Sequence, residues 1–191
     1  ILHGNLILLF PTASVGGFFL GPIYYYFMVP FLFLSNFHPV GPAIMVALFG
    51  VATVFLVYKI GSILFDNTKT GLIAAALYAI SPLVIAYSRS SWNPNPMPFF
   101  SLLTLFMCYK AVEKNKGALF IISGFLLGIA LQLHYLATFL GGILFIYILA
   151  AQLASGEKNI LINIKSLSKK YLLLFLGFLI ALLFILGPTK N

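Results

Sequence analysis

Six long apolar runs, separated by short polar segments, dominate the chain. They lie at about 42–65, 70–87, 96–112, 118–133, 135–153 and 171–186. A helix needs roughly 20 apolar residues to cross the hydrocarbon core of a bilayer, so each run predicts a membrane-spanning helix, although several are slightly short. Pro82 lies inside the second run and predicts a kink, with Ser81 beside it as a partner for the carbonyl that the proline leaves free.

The composition supports the same interpretation. Of the 191 residues, 62% are hydrophobic and only 7% are charged, and the mean hydropathy is +1.09. An average soluble domain is about 45–50% apolar and about 25% charged. Three acidic residues cannot cover a water-facing surface. We therefore expect an all-α polytopic membrane protein, a transmembrane helical bundle of about six spans.

The lysines indicate an orientation. If the spans alternate in direction, the loops at 65–69, 113–117 and 156–170 share one side of the membrane. These loops and the adjoining helix ends carry most of the cations: Lys59, Lys69, Lys110, Lys114, Lys116, Lys158, Lys165, Lys169 and Lys170. The other side holds only Arg89 and Lys190. Because cytoplasmic loops are enriched in lysine and arginine, the lysine-rich side is predicted to be cytoplasmic. The net charge of +8 thus reflects orientation, and no nucleic-acid partner is expected.

Two segments are less regular. Residues 18–37 are aromatic and interrupted by Pro22 and Pro30, which fits either a broken span or an interfacial helix on the outer face. Residues 1–58 contain no lysine, arginine, aspartate or glutamate, so the charge pattern does not decide between them. The segment "NILINIKSLSKKY" is typical of a short amphipathic stretch on the cytoplasmic surface, where its lysines can meet anionic lipid head groups.

The stretch "AYSRSSWNPNPMPFF" between the second and third runs carries the main candidate residues. Arg89 is isolated on the predicted outer side; its guanidinium could clamp a phosphate bidentately or touch a lipid head group. Trp92 fits an interfacial aromatic belt better than a substrate platform. Asn93 and Asn95, each followed by proline, favour tight turns, and their amides could instead bind a sugar or a phosphate.

Further candidates lie outside this stretch. His134, in "LQLHYL" on the predicted outer side, fits either a backbone-bonded residue or a partner for a lipid phosphate. Tyr24 and Tyr25 could line a sugar site or form part of an interfacial belt. His38 is interpreted as an ordinary loop residue.

The chain shows none of the GxSxG, P-loop, HExxH or CxxC motifs of soluble enzymes. Asp66, Glu113 and Glu157 are all predicted to be cytoplasmic and solvated. Cys108 lies in an apolar run and is interpreted as a small buried hydrophobe. We therefore predict no catalytic residue and no metal ligand within this chain.

Three stretches, taken in order, carry a family resemblance: "GNLILLFPTASVGGFFLGPIYYYFMVPFLF", "YSRSSWNPNPMPFFSLL" and "GIALQLHYLATFLG". The chain resembles polyprenyl-phosphate-sugar-dependent membrane glycosyltransferases of the protein O-mannosyltransferase and aminoarabinose-transferase group. Within it, the likeness is greatest to the lipopolysaccharide-core transferases related to those of rhizobia. The resemblance implies a GT-C fold and transfer of a sugar from a polyprenyl-phosphate donor to a lipid, glycan or protein acceptor on the extracytoplasmic face.

The resemblance also implies a domain layout. Residues 1–41 would be the end of the first outer loop, with an interfacial helix that starts at "GPIYYY". Residues 42–187 would be the transmembrane bundle and 188–191 a truncated tail. The family's catalytic aspartate would precede Ile1, so an internal fragment of this kind is expected to be inactive alone.

By the same resemblance, Arg89 and His134 would serve the leaving phosphate, and Asn93, Tyr24 and Tyr25 would complete the substrate site. Expected partners are a polyprenyl-phosphate sugar, membrane lipids and an unidentified acceptor. The cofactor stays open, with a divalent metal as one option in the full-length enzyme. Many relatives have an aspartate after the arginine, whereas this chain reads "WNPNP" there. Two alternatives remain: a transporter or flippase for lipid-linked sugars, and a non-catalytic assembly subunit.

Overall fold

A computed structural model describes residues 10–12, 19–156 and 159–183, and helices dominate them. Two short strands, β1 (Phe10–Thr12) and β2 (Phe19–Leu20), pair antiparallel near the start. Eight helices follow: α1 (Ile23–Leu34), α2 (Val40–Leu64), α3 (Thr68–Ala79), α4 (Pro82–Ser88), α5 (Met97–Lys114), α6 (Gly117–Leu133), α7 (Ala137–Leu153) and α8 (Ile160–Leu183). The described residues thus confirm the predicted all-α membrane class, and the strand pair is an addition to it.

The chain divides into two units. Residues 23–102 form the α2–α4 unit, which also holds α1 and the start of α5 (residues 97–102). Of the described residues, 10–12, 19–22, 103–156 and 159–183 form the α6–α8 unit, which also holds the strand pair and the rest of α5.

A helix lies at each of the six predicted spans. By length and hydropathy, α2 and α8 are each long enough to cross a membrane alone, and the bent pair α3–α4 would make a third span. Helices α6 and α7 have 17 residues each, which makes them about 25 Å long. Helix α1 has 12 residues and reaches only about 18 Å, short of the roughly 30 Å hydrocarbon core. Helix α1 alone is therefore too short to cross the membrane, which favours an interfacial helix over a broken span.

The kink predicted at Pro82 is present. Helices α3 and α4 meet at 64°, and Pro82 occupies the first turn of α4. The backbone amides of Ile80 and Ser81 still bond to the carbonyls of Ala76 (3.0 Å) and Tyr78 (3.3 Å). The Ser81 side chain makes no capping hydrogen bond. The broken helix is therefore closed by backbone bonds at the end of α3, and the expected help from the serine hydroxyl is not seen.

Helices α2 and α3 form an antiparallel hairpin. Asp66 adopts a left-handed backbone conformation (φ 46°) in the turn, and Asn67 caps α3 by accepting hydrogen bonds from the amides of Lys69 (2.9 Å) and Thr70 (3.3 Å). The short polar turn "FDN" thus reverses the chain and satisfies the first amides of α3.

Helices α6 and α8 run parallel in close contact. Gly124 lies against the backbone of Leu174, Gly128 against Ala181, and Gly177 against the backbone of Ile121. Gly124 and Gly128 are four residues apart, as are Gly177 and Ala181, which is the small-xxx-small spacing that lets membrane helices approach closely. A buried cluster from α5, α6 and α7 completes this unit: Cys108, Ala111, Phe120, Leu127, Leu140, Leu144 and Ile148.

One predicted boundary is different in the structure. The amphipathic stretch "NILINIKSLSKKY" and the sixth apolar run are not separate elements, because α8 continues through both from Ile160 to Leu183. No proline or glycine interrupts residues 160–176, so nothing breaks the backbone ladder between the two. The lysines of this stretch therefore lie on the first turns of a membrane helix.

Large apolar side chains are exposed along several helices, which fits a lipid environment. On α2, Ile44, Leu48, Val51 and Phe55 follow one another at helical spacing and are exposed. Exposed apolar residues on α3, α7 and α8 include Leu72, Ile73, Leu77, Phe139, Ile143, Ile146, Leu172, Phe175, Leu176 and Ile180. Water would not tolerate this much contiguous apolar surface, whereas hydrocarbon does.

Candidate functional site

Arg89 lies at the point where α4 ends. It is the C-cap residue of α4, and its backbone amide bonds to the carbonyl of Ala86 at 3.4 Å. Its side chain is exposed. Among the residues that the structure describes, the guanidinium has no hydrogen-bond or ion-pair partner. The described part of the fold therefore uses none of its five N–H donors.

Asn95 closes the loop that carries Arg89. Its side-chain amide donates to the carbonyls of Tyr87 (2.8 Å) and Ser90 (2.7 Å), and it also lies 3.1 Å from the Ser90 hydroxyl. These bonds join residues on both sides of Arg89 to the start of α5. The asparagine amide thus acts as a brace across the loop, which we call the Arg89 loop (residues 89–96).

The two Asn-Pro steps form consecutive turns, as predicted. The amide of Asn95 bonds to the carbonyl of Trp92 at 3.0 Å, and the amide of Met97 bonds to the carbonyl of Pro94 at 2.9 Å. Trp92 stacks on Tyr87, with ring centroids 6.4 Å apart and an interplanar angle of 30°. The Arg89 loop is therefore a shaped segment, with its turns set by proline and its ends joined by hydrogen bonds.

Tyr24 ties helix α1 to the Arg89 loop. Its hydroxyl lies 2.7 Å from the hydroxyl of Ser91, and its side chain is 5% exposed. Burial raises the pKa of the Tyr24 phenol above its ordinary value. The fold therefore brings Tyr24 to the segment that carries Arg89 and Asn93, and it holds the Tyr24 hydroxyl on Ser91.

Aromatic contacts fix α1 in place. Phe27 stacks on Phe100 with ring centroids 5.5 Å apart, and it contacts Phe49 at 5.7 Å. Tyr25, half-buried beside Tyr24, meets that ring edge-on at 6.1 Å. Helix α1 is thus anchored to α2 and to the start of α5, so Tyr24 reaches Ser91 from a fixed position.

His134 belongs to the α6–α8 unit, whereas Arg89 belongs to the α2–α4 unit. His134 follows α6 directly, and its Nδ1 accepts a hydrogen bond from the amide of Leu136 at 3.3 Å. Its ring stacks on Tyr135 at 4.5 Å. Because Nδ1 acts as an acceptor, the N–H of the neutral ring lies at Nε2, which can donate a hydrogen bond to a ligand.

Gln132 is a buried polar residue that the sequence analysis did not single out. Its Nε2 donates to the carbonyl of Ala181 at 3.2 Å, and its side chain is 5% exposed. Its Oε1 has no hydrogen-bond partner among the described residues. Gly21 packs directly on this side chain, because a Cβ there would lie 2.8 Å from Oε1. The sequence did carry a signal for this residue, because a side-chain amide inside an apolar run, two residues before His134, is unusual.

The described acidic residues do not belong to the Arg89 loop or to the segment that carries His134. Asp66 is in the α2–α3 turn, and Glu113 pairs with Lys110 at 2.7 Å near the end of α5. The hydrogen bond from the Lys110 ammonium holds the pKa of Glu113 below its ordinary value. Within residues 10–12, 19–156 and 159–183, no group of three His, Cys, Asp or Glu side chains could hold a metal ion. Glu157 lies outside the described residues.

Comparison with known proteins identifies a family for this chain. The family model described as dolichyl-phosphate-mannose-protein mannosyltransferase matches residues 20–186, a range that includes Tyr24, the Arg89 loop and His134. No curated protein and no solved structure matches the chain. Because the match covers most of the chain and the helices are those of a membrane protein, the chain belongs to the dolichyl-phosphate-mannose-protein mannosyltransferase family of membrane glycosyltransferases.

Proposed function

We propose that this protein transfers a sugar from a polyprenyl-phosphate donor to a lipid, glycan or protein acceptor on the extracytoplasmic face of the membrane. We further propose that the Arg89 loop binds the donor phosphate. The family supports glycosyl transfer with a lipid-linked donor in principle. The observation that carries the proposal is the bond between Tyr24 and Ser91, which, together with the bonds donated by Asn95, fixes the loop that carries an exposed arginine.

The chemistry explains why an arginine suits this position. In the transfer, the bond between the anomeric carbon and the phosphate oxygen breaks, and a bond to the acceptor oxygen forms. The acceptor proton passes to a base, and negative charge grows on the leaving polyprenyl phosphate. A guanidinium offers paired N–H donors that match phosphate oxygens, so it stabilises this charge as it develops.

The other candidate residues have complementary roles in this proposal. His134 would serve the leaving phosphate, as the sequence resemblance implies, and its Nε2 is the nitrogen left to donate, since Nδ1 accepts from the amide of Leu136. Asn93 and Tyr25 would contact sugar hydroxyls. Tyr24 would act as a positioning residue, because its hydroxyl is held by Ser91. Apolar grooves between the helices would hold the polyprenyl chain.

The orientation is part of the proposal. The lysine-rich loops would be cytoplasmic and the Arg89 loop extracytoplasmic, as the distribution of lysines favours. The likeness of the sequence to lipopolysaccharide-core transferases supports a polyprenyl-phosphate hexose or pentose as the donor in a cell envelope.

A substitution series in the full-length protein tests the role of Arg89. Replacement of Arg89 by Ala should lower kcat/KM for sugar transfer by about 10²–10³-fold, since loss of a donor to developing charge typically costs that much. Arg89→Lys should restore part of the rate, because an ammonium keeps the charge but not the fork of donors. Radiolabelled sugar transferred from a purified polyprenyl-phosphate donor is the readout.

Lys69→Ala is the matched control, since Lys69 is an exposed cation at the start of α3, within the same unit. It should leave the transfer rate unchanged. Transfer near the wild-type rate in a properly inserted Arg89→Ala protein would remove Arg89 from the donor site.

A second function is favoured by one observation, the 64° break between α3 and α4. Broken membrane helices also occur at the substrate sites of transporters. A liposome assay distinguishes the two functions. Movement of a labelled polyprenyl-phosphate sugar across the bilayer without any transfer product would support a transporter or flippase, and product formation without such movement would support the enzyme.

A further inference from the structure

A cavity of about 320 Å³ lies in the α6–α8 unit, at the end of α6 that is opposite to His134. Its lining comes from the turn between α5 and α6, including Gly117, and from the first turns of α8. It lies outside the Arg89 loop and His134, so the proposed glycosyl transfer makes no use of it.

Three lysines of α8, Lys165, Lys169 and Lys170, line this cavity. Lys165 and Lys169 are four residues apart and so are neighbours on one face of the helix, and Lys170 directly follows Lys169. Lys170 donates to the buried Oε1 of Gln152 at 2.6 Å, which fixes its position, while Lys165 and Lys169 are exposed. None of the described residues that line the cavity is acidic. The cluster therefore presents a concentrated positive charge to whatever occupies the cavity.

The start of α6 adds to this charge. Gly117 is the first residue of α6 and lines the cavity, and the N-cap residue Lys116 makes no side-chain capping bond. The first amides of a helix have no partner within the helix, and the positive end of the helix dipole lies there. Backbone donors and lysine ammonium groups thus meet at one cavity, an arrangement that suits a phosphate group.

Apolar side chains surround the same site. Phe120, Ile162 and Leu173 share the lining with the lysines. Ile160, Leu161 and Ile164 nearby on α8 are exposed. A free anion would gain nothing from this apolar surface, whereas a phospholipid would cover it with its acyl chains while its phosphate met the lysines.

We propose that this cavity binds the phosphate of an anionic phospholipid, with Lys165, Lys169 and Lys170 as its cationic partners. Basic residues beside exposed apolar ones on a membrane helix are the combination that recognises anionic head groups. The site would hold a structural lipid beside α6 and α8.

Native mass spectrometry of the full-length protein in detergent, with added phosphatidylglycerol or phosphatidylcholine, tests the site. The wild type should retain phosphatidylglycerol in preference. The double variant Lys165→Gln/Lys169→Gln should bind it about thirtyfold more weakly, since each basic residue near a bilayer surface contributes roughly fivefold. The variant Lys165→Arg/Lys169→Arg keeps both charges and should retain the lipid.

Lys59→Gln/Lys69→Gln is the matched control, because it removes two exposed lysines from the α2–α4 unit. This control should bind phosphatidylglycerol like the wild type. Equal retention by the Lys165→Gln/Lys169→Gln variant and the control would overturn the proposal. So would displacement of phosphatidylglycerol by an equal concentration of inorganic phosphate, which would indicate a site for a free anion.

Discussion

At the scale of single residues, the Arg89 loop is held by two side chains that are distant from one another in sequence. Asn95 braces the loop from within by donating to Tyr87 and Ser90. Tyr24 holds it from helix α1 through Ser91. Neither side chain needs to touch a substrate to matter, because both hold the loop from which the exposed Arg89 side chain projects.

Substitutions at Asn95 should distinguish the effect of its donated hydrogen bonds from the effect of its side-chain shape. Asn95→Ala removes both donated bonds and should cost about 1–3 kcal/mol of local stability. Asn95→Asp keeps the shape but places carboxylate oxygens against two carbonyls, so it should be the more damaging change at neutral pH. Hydrogen exchange of the amides in residues 87–95 measures the effect. Protection in the Asp variant that equals the wild type would contradict the donor role.

Tyr24→Phe removes only the hydroxyl that meets Ser91. The lost hydrogen bond should destabilise the contact between α1 and the loop by about 1 kcal/mol, since a buried neutral bond is worth roughly that. Sugar transfer by the full-length protein should fall a few-fold in kcat while its membrane insertion is unchanged. Tyr58→Phe, in α2, is the control and should change neither quantity. Unaltered transfer by Tyr24→Phe would show that the tie to Ser91 does not position the site.

At the scale of elements, the contact between α6 and α8 depends on the absence of side chains. Gly124 and Gly177 each lie against the backbone of the other helix, where a Cβ would overlap it. The two helices can therefore approach closely, and they are linked further by the bond from Gln132 to the carbonyl of Ala181. This pair holds the lysine cavity at one end and the His134 segment at the other.

Two glycine-to-alanine substitutions test this contact. Gly124→Ala should destabilise the protein by about 1–3 kcal/mol, because overpacking against a backbone forces the helices apart. Gly142→Ala, on α7, is the matched control, since no heavy atom beyond its chain neighbours and the nearby backbone of its own helix lies within 4 Å of the added Cβ. It should stabilise the protein by up to about 1 kcal/mol, because alanine is the better helix former. Thermal unfolding in detergent measures both, and equal melting temperatures would contradict the close contact.

At the scale of the whole molecule, the exposed apolar surface and the grouping of lysines set the relation to the membrane. Exposed leucine, isoleucine and phenylalanine side chains on α2, α3, α7 and α8 fit lipid contact. Within the α6–α8 unit, the lysine cavity and His134 lie at opposite ends of α6. A helix that crosses the bilayer would place these two ends on opposite sides of it.

Cysteine labelling tests the proposed orientation. Cys108 is the one cysteine of the sequence, and it is fully buried. In a Cys108→Ala background, a cysteine introduced at an exposed position is therefore the single thiol that can be labelled. A membrane-impermeant maleimide added outside intact cells should label Trp92→Cys and leave Lys165→Cys unlabelled, because the lysine-rich side is predicted to be cytoplasmic. Labelling of Lys165→Cys without labelling of Trp92→Cys would reverse the orientation.

Much of the fold follows from local sequence. The apolar runs predicted a helix at all six positions, and Pro82 predicted the break between α3 and α4. The join of the lysine-rich stretch to α8 was missed, because a change from amphipathic to apolar composition does not interrupt a helix backbone. The pair of glycines at 124 and 128 was a usable signal for close packing, but it did not name α8 as the partner.

The sequence alone determined that this is an all-α membrane protein, where its helices lie and which loops carry the charge. These properties are sums over neighbouring residues, since the transfer of side chains to lipid and the formation of helix bonds are both local. The tertiary structure alone decided that Tyr24 meets Ser91, that α6 runs parallel to α8 and that three lysines share a cavity. Each of these depends on contacts between residues far apart in the chain, whose pairing is selected by packing and not by composition.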